Sequence, residues 1–169
     1  PIESEHFQFP DANTREVALS DPKIKAPLVP PVGAFDYRLG IAYMLHISHP
    51  LGSFVVVGSA GFKGNDLQGF NADAIFLGVG GIGGQSEEYR DAYWRETVGM
   101  LNPTTVIPIH YDSLTAPAEG PFQGTSALES LVFSGEENLL PFLRDMEASH
   151  PKISFRTLPR FEEVVLFTP

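Results

Sequence analysis

A single histidine directly follows a run of residues typical of a buried β-strand. The run is residues 104–109 (TTVIPI), and the histidine is His110. The carboxyl ends of strands in α/β proteins face the crevice where ligands bind, so this side chain is placed to meet a ligand. A neutral imidazole binds Zn²⁺ at about 2.0–2.1 Å, and bound zinc lowers the pKa of a water molecule to about 7. His110 is therefore a candidate metal ligand, although for an isolated strand-end histidine a hydrogen bond to a loop is the better interpretation.

Apolar periodicity around His110 predicts strands that alternate with helices. Alternation over residues 41–47 places four large apolar side chains on one strand face, and Pro108 predicts an irregular or edge-facing position late in its strand. The order strand, helix, strand favours an α/β fold with adjacent parallel strands. The predicted elements are a hairpin of strands 40–48 and 54–57, a strand at 72–77, a helix capped by Ser86 and ending near Leu101, a strand at 104–110, a helix marked by Leu139, Leu140, Leu143 and Met146, a short strand at 17–19, and terminal strands at 153–157 and 164–167.

Two segments of this pattern carry a resemblance to a known superfamily. Residues 107–110 (IPIH) resemble the closing unit of the metallo-β-lactamase superfamily, and residues 55–62 (VVVGSAGF) are similar to the strand that supplies its bridging aspartate. The hairpin that begins at residues 36–38 also fits, so the resemblance covers residues 35–115 or so. It implies an α/β fold that is the C-terminal half of an αββα sandwich, with a mixed sheet and helices on one face.

The same resemblance implies a zinc-dependent hydrolase. In such an enzyme a metal-bound hydroxide attacks an ester, amide, lactone or phosphodiester of a small-molecule substrate, and His110 is a metal ligand. Ser59 occupies the position of the bridging aspartate. Because a serine hydroxyl is a poor replacement for a carboxylate between two cations, one zinc ion is expected rather than two. Asp66 is a potential replacement, but its spacing gives it no support.

The main ligand motif of the superfamily, HxHxDH, is absent from this chain. The five histidines include no HxH pair, whereas a hydrolytic zinc site usually has three protein ligands. We therefore expect an N-terminal segment of the same gene product to complete the site, and the chain to be an enzyme only with that segment. His6 is the one histidine upstream of the hairpin that could be a further ligand, and an ordinary surface histidine is its simpler interpretation.

Asp112 is the candidate catalytic residue. It follows His110 by two positions, where it could orient the imidazole or contact the substrate. An aspartate after a strand is also common in loops, so both interpretations stay open. His46 and His49 form an HxxH pair at a strand end and turn, where solvated hairpin histidines are the better interpretation.

Two other functions remain open. The first is a non-catalytic binding or scaffold protein on the same fold that has lost its metal through Ser59. The second is a nucleotide-binding α/β domain, because residues 78–83 (GVGGIG) match G-x-G-x-x-G between a strand and a helix. Glu87 and Glu88 disfavour a phosphate at the start of that helix. Glycines that let the backbone turn tightly beneath a site explain the run better.

Composition narrows the partners. With 169 residues and 43% hydrophobic composition, the chain suits one domain, with an irregular Pro-rich lead-in over residues 1–34 and the hydrolase-like part over 35–169. A net charge of −10 with 11 Lys and Arg disfavours nucleic acid and anionic membranes. No apolar run is long enough to span a bilayer. A leader before Pro1 would explain the missing initiator Met, while the compartment and homo-oligomer formation stay open.

Overall fold

The fold is α/β, built on a mixed six-stranded sheet. A computed structural model of the protein describes residues 1–7, 26–33, 40–113, 117 and 135–168. The helix Glu87–Trp94, called α1, continues into a five-residue π-helical segment, Arg95–Gly99, and a 3₁₀ turn, Glu136–Asn138, precedes the helix Leu139–Ser149, called α2. The elements are β1 (Ile2–Ser4), β2 (Ala42–His49), β3 (Gly52–Val57), β4 (Ala74–Gly78), α1 (Glu87–Trp94), β5 (Thr105–Ile109), α2 (Leu139–Ser149) and β6 (Ser154–Phe155).

Strand direction determines which loops meet at one edge of the sheet. The strands lie in sequence order, β1 to β6. Strand β2 is antiparallel to both of its neighbours, β1 and β3, whereas β3, β4, β5 and β6 are parallel to one another. Strand β1 therefore points the same way as β3, β4 and β5. The residues that follow these four strands, at 5–7, 58–61, 79–81 and 110–113, consequently lie along one edge, which we call the carboxyl edge.

One face of the sheet forms the core. Val55, Ile75 and Val106, which lie opposite one another on β3, β4 and β5, are buried there together with Tyr93 and Trp94 of α1. Helix α2 contributes Leu139 and Phe142 to the same cluster. Trp94 also stacks on Phe155 of β6, with ring centroids 5.8 Å apart and planes 2° from parallel. Both helices therefore cover the same side of the sheet.

The opposite face of β2 is apolar and exposed, and we call it the open face. Ile41, Tyr43, Leu45 and Ile47 share one face, as alternation predicts, and they remain between 40% and 62% exposed. Met44, on the other side of the same strand, is 1% exposed and belongs to the core. The larger set of aliphatic side chains on β2 thus points away from the helices.

The structure confirms most predicted elements and corrects others. The hairpin, both helices and the central strands are present, but β5 ends at Ile109, which leaves His110 just outside the ladder. Pro108 lies beyond the residues that pair with β6, so within the described residues it takes the edge-facing position that was one of its two predicted placements. The prediction of a strand at 164–167 is wrong, because that segment pairs with no strand among the described residues and the ring of Phe167 contacts Gly52 instead.

Other differences concern short or apolar segments. Strand β1 has three residues, too few for a periodic pattern, and was not predicted. The prediction of a strand at 17–19 lies outside the described residues. In α2, Leu140 is exposed and Phe142 is buried, because Leu140 falls on the solvent side of a helix whose apolar stripe runs through residues 139, 142, 143 and 146.

Two neighbouring valines of β3 test this assignment of faces. Val55→Ala removes methyl groups from a fully buried site and should lower the free energy of unfolding by about 2–3 kcal/mol. Val56→Ala, on the open face of the same strand, should cost less than about 1 kcal/mol. Urea denaturation of both variants measures the difference, and equal losses would contradict the assignment.

Candidate functional site

The carboxyl edge is built around glycines that let neighbouring loops approach closely. Gly78 ends β4, and a methyl group there would lie 2.6 Å from the carbonyl oxygen of Val57. Gly61 abuts the backbone of residues 5–7 with no room for a side chain. Gly81 has a φ of +84°, in the left-handed region that favours glycine. These positions bring the segments that follow β1, β3 and β4 close together at the edge.

His110 has a strained backbone at the end of β5. Its φ is +60°, in the left-handed region, where a residue with a side chain costs about 1–3 kcal/mol. Its side chain is exposed and lies over Gly80. A methyl group at Gly80 would lie 2.7 Å from both Cε1 and the carbonyl oxygen of His110, with Nδ1 closer still. Among the described residues the His110 side chain has no hydrogen-bond partner.

Ser59 is engaged with the segment that follows β1. Its hydroxyl oxygen accepts a hydrogen bond from the backbone N–H of Phe7 at 3.1 Å, and the Phe7 ring packs on Gly81. The predicted candidate His6 therefore lies at the same edge, with Nδ1 3.1 Å from the carbonyl oxygen of Phe7. The sequence gives no signal for these contacts, because 52 positions separate Phe7 from Ser59.

Asp112 forms an ion pair with the C-terminal segment. Its Oδ2 accepts a hydrogen bond from Nη2 of Arg160 at 2.6 Å, and both side chains are partly exposed. Within the described residues, no bond joins this carboxylate to His110. The structure thus places Asp112 beside the candidate ligand and gives its charge a different partner.

Two tyrosines of α1 donate hydrogen bonds to backbone carbonyl oxygens of the carboxyl edge. Tyr89 donates to the carbonyl oxygen of Ala60 at 2.9 Å, and Tyr93 donates to that of Gly78 at 2.7 Å. They are one helical turn apart, and helical side chains tilt toward the N-terminus, which here points at this edge. Burial raises the pKa of the Tyr93 hydroxyl well above its ordinary value, so the hydroxyl remains a donor. The helical spacing of the two tyrosines predicts that their rings pack against the core, whereas their hydrogen bonds to the carboxyl edge are seen only in the structure.

The glycine-rich segment after β4 is occupied by protein contacts. The N–H groups of Val79, Ile82 and Gln85 donate to backbone carbonyl oxygens, and the N–H of Tyr89 donates to the Ser86 cap. The rings of His110 and Phe7 lie on Gly80 and Gly81. These contacts disfavour a pyrophosphate on this loop, which needs free N–H groups and open space.

The other polar residues singled out in the sequence have local roles. His46 Nε2 lies 3.1 Å from the carbonyl oxygen of Asn71, and His49 Nδ1 accepts the N–H of Leu51. Asp66 Oδ2 accepts hydrogen bonds from the Ser4 hydroxyl and the Lys63 N–H. Asp66 therefore fastens β1 to a turn, and its carboxylate oxygen has structural partners.

The described residues do not by themselves fit a zinc ion. Within ranges 1–7, 26–33, 40–113, 117 and 135–168, no group of three or more His, Cys, Asp or Glu side chains could hold a metal. Zinc sites use three or four protein ligands. His110 and His6 both lie at the carboxyl edge, but the described residues there do not make up a set of three metal-binding side chains.

Comparisons with known proteins yield no relative. The sequence matches no protein family, no curated protein and no solved structure. In the part of the chain that the structure describes, no helix has the length and apolarity needed to cross a bilayer.

Gly80 tests whether the loop after β4 seats the imidazole. Gly80→Ala should push the His110 ring and carbonyl away and cost about 1–3 kcal/mol of stability. Gly58→Ala is the matched control, since nothing lies within 4 Å of its added methyl group. Denaturation curves give the stabilities, and the His110 ring signals in NMR spectra report displacement. A Gly80→Ala protein with unchanged stability and signals would refute the contact.

Backbone strain at His110 is tested by two substitutions at the same position. His110→Gly should be more stable than His110→Ala by about 1–2 kcal/mol, because only glycine enters the left-handed region freely. His46, in the middle of β2, should show the reverse order, since glycine weakens a strand by about 0.5–1 kcal/mol relative to alanine. Unfolding midpoints of the four variants decide, and the same order at both positions would exclude the strain.

Proposed function

We propose that this chain is the C-terminal half of a metal-dependent hydrolase of the metallo-β-lactamase type, with His110 as one zinc ligand. The remaining ligands come from outside the described residues, in an N-terminal segment of the same gene product. The substrate is a small-molecule ester, amide, lactone or phosphodiester. The reaction class comes from the sequence resemblance, and the features of the carboxyl edge and open face support it.

The single observation that carries this proposal is the conformation of His110. A histidine that only packs against a loop is expected in a relaxed backbone with a hydrogen-bond partner. His110 has a left-handed backbone, an exposed ring and no hydrogen-bond partner in the described part of the chain. Strain of this kind tends to occur at functional sites, where surrounding structure maintains it. An exposed imidazole at a strand end is suited to meet a ligand supplied from outside.

The open face supports the half-sandwich. Parallel strands are normally covered on both faces, whereas both helices here cover the same one. The row of Ile41, Tyr43 and Leu45 leaves a broad apolar surface on the other face. Phe54 and Phe76 lie on the same face of β3 and β4, with ring centroids 5.4 Å apart, but they are half-buried, and Ile107, which pairs with Phe76, is buried. A second sheet packed on this face, with its own helices outside, would give the αββα arrangement.

The carboxyl edge supports one metal ion rather than two. Ser59 brings no charge to the position of the bridging aspartate, and its hydroxyl oxygen already accepts the Phe7 N–H. The carboxylate of Asp66 binds Ser4 and Lys63, and that of Asp112 binds Arg160. No described carboxylate thus has a geometry that favours a second cation.

A second candidate function is a non-catalytic binding or scaffold protein on the same fold. The observation in its favour is the same edge: the Ser59 hydroxyl and the Asp112 carboxylate are both engaged with other protein groups. Under this alternative His110 binds no metal, and the intact protein carries none.

Metal analysis of the intact protein separates the two candidates. The protein is expected to hold about one zinc per chain, and His110→Ala should weaken zinc binding by more than about tenfold, as loss of a direct ligand requires. His46→Ala is the matched control, because that histidine lies on the hairpin and bonds to Asn71. Mass-spectrometric metal content and competition with a chelator give the values. Absence of zinc, or equal affinity in both variants, would reject the hydrolase proposal.

A further inference from the structure

We infer that Tyr93 is a positioning residue for His110 that acts through the backbone of residues 78–80. Its functional meaning rests on the proposed role of His110, whereas the structural coupling itself requires no metal. Tyr93 does not contact His110 directly. The coupling consists of three successive contacts, which run from α1 to the end of β4, from there to the end of β5, and from the residue after next, Gly80, to the His110 ring.

The first contact joins the helix to the end of β4. The Tyr93 hydroxyl donates to the carbonyl oxygen of Gly78 at 2.7 Å, and Tyr93 is fully buried. Because Gly78 is buried as well, water has little access to replace a lost donor. The Tyr93 ring packs against that of Phe62, with 6.1 Å between centroids. The backbone carbonyl oxygen of Tyr93 accepts a hydrogen bond from the Thr97 hydroxyl. The donor is therefore fixed in place.

The second contact joins the end of β4 to the end of β5. Gly78 lies opposite Ile109 in the parallel ladder, and the N–H of Val79 donates to the carbonyl oxygen of Ile109 at 2.9 Å. This bond is the last one before the chain leaves the ladder at His110. The position of the peptide between residues 78 and 79 thus determines where β5 ends.

The third contact seats the imidazole. Gly80 lies so close to His110 that an added methyl group would overlap its ring and approach its carbonyl oxygen at 2.7 Å. A shift of the 78–80 backbone by a few tenths of an ångström would consequently move the support of the ring. Holding the Gly78 carbonyl oxygen in place therefore holds the imidazole in its exposed orientation.

Tyr89 provides a matched control on the same helix. It also donates from its hydroxyl to a backbone carbonyl oxygen, that of Ala60, at 2.9 Å. Its acceptor follows β3 and adjoins Ser59, two strands away from His110. Tyr93→Phe and Tyr89→Phe thus remove the same group from the same helix, and only the first should affect His110.

The test compares both variants by NMR in the metal-free intact protein. In Tyr93→Phe the His110 ring signals should shift and broaden, and the Val79 amide should exchange about tenfold faster, as loss of one hydrogen bond predicts. In Tyr89→Phe both should match the wild type. A third variant, Val98→Ala, lowers global stability at the far end of the helix, and any effect common to it and Tyr93→Phe reflects destabilisation alone.

The result that would overturn the inference is a folded Tyr93→Phe protein with the His110 signals and Val79 exchange of the wild type. If Tyr93→Phe does not fold, Gly80→Ala tests the same coupling at its other end, and unmoved His110 signals there would overturn it equally. Because these measurements use the metal-free protein, they test the coupling whether or not the hydrolase proposal is correct. Conversely, if the His110 signals shift in Tyr93→Phe but the metal analysis finds that the protein binds no zinc, the coupling is retained and the hydrolase proposal is rejected.

Discussion

Burial of one sheet face against α1 and α2 is the constraint on which the arrangement of this chain depends. Val55, Ile75 and Val106 lie opposite one another on three adjacent parallel strands, and their burial on one face favours this register. Parallel strands in register end together, so the residues that follow them meet at one edge. The crossover from β4 through α1 to β5 then places the start of the helix beneath that edge. The carboxyl edge is thus a consequence of how the core packs.

The close approach of loops at this edge depends on glycine and on buried hydroxyl donors. Gly78 and Gly80 leave room for the chain after β3 and for the His110 ring, where any side chain would collide. Short contacts of this kind enclose backbone carbonyl oxygens that water reaches poorly, and Tyr89 and Tyr93 satisfy two of them. The strain at His110 is therefore carried by a well-supported neighbourhood. An unsupported loop would relax it.

Periodicity predicted the elements of this fold better than their surroundings. The β-branched run at 54–57, the Ser86 cap and the IPIH strand end specify local structure, and each is present. Alternation in β2 identified which side chains share a face, but it carries no information on which face the helices cover. The bond from Phe7 to Ser59 and the pair of Asp112 with Arg160 join distant positions. Only the folded sheet brings such residues together, so the partners of the candidate site were beyond prediction.

Under the proposed hydrolase function, the open face and the absence of further zinc ligands around His110 have a common explanation. Two sheets that pack face to face lie about 10 Å apart, with strand directions within about 30° of each other. A second sheet on the row of Ile41, Tyr43 and Leu45 would therefore end close to the carboxyl edge where His110 is exposed. Its loops would be within reach of an imidazole whose backbone is already turned outward. A single additional layer would thus both bury the apolar surface and bring further ligands to His110. A partner that covered only the open face would bury the apolar surface but would not explain the strained backbone of His110.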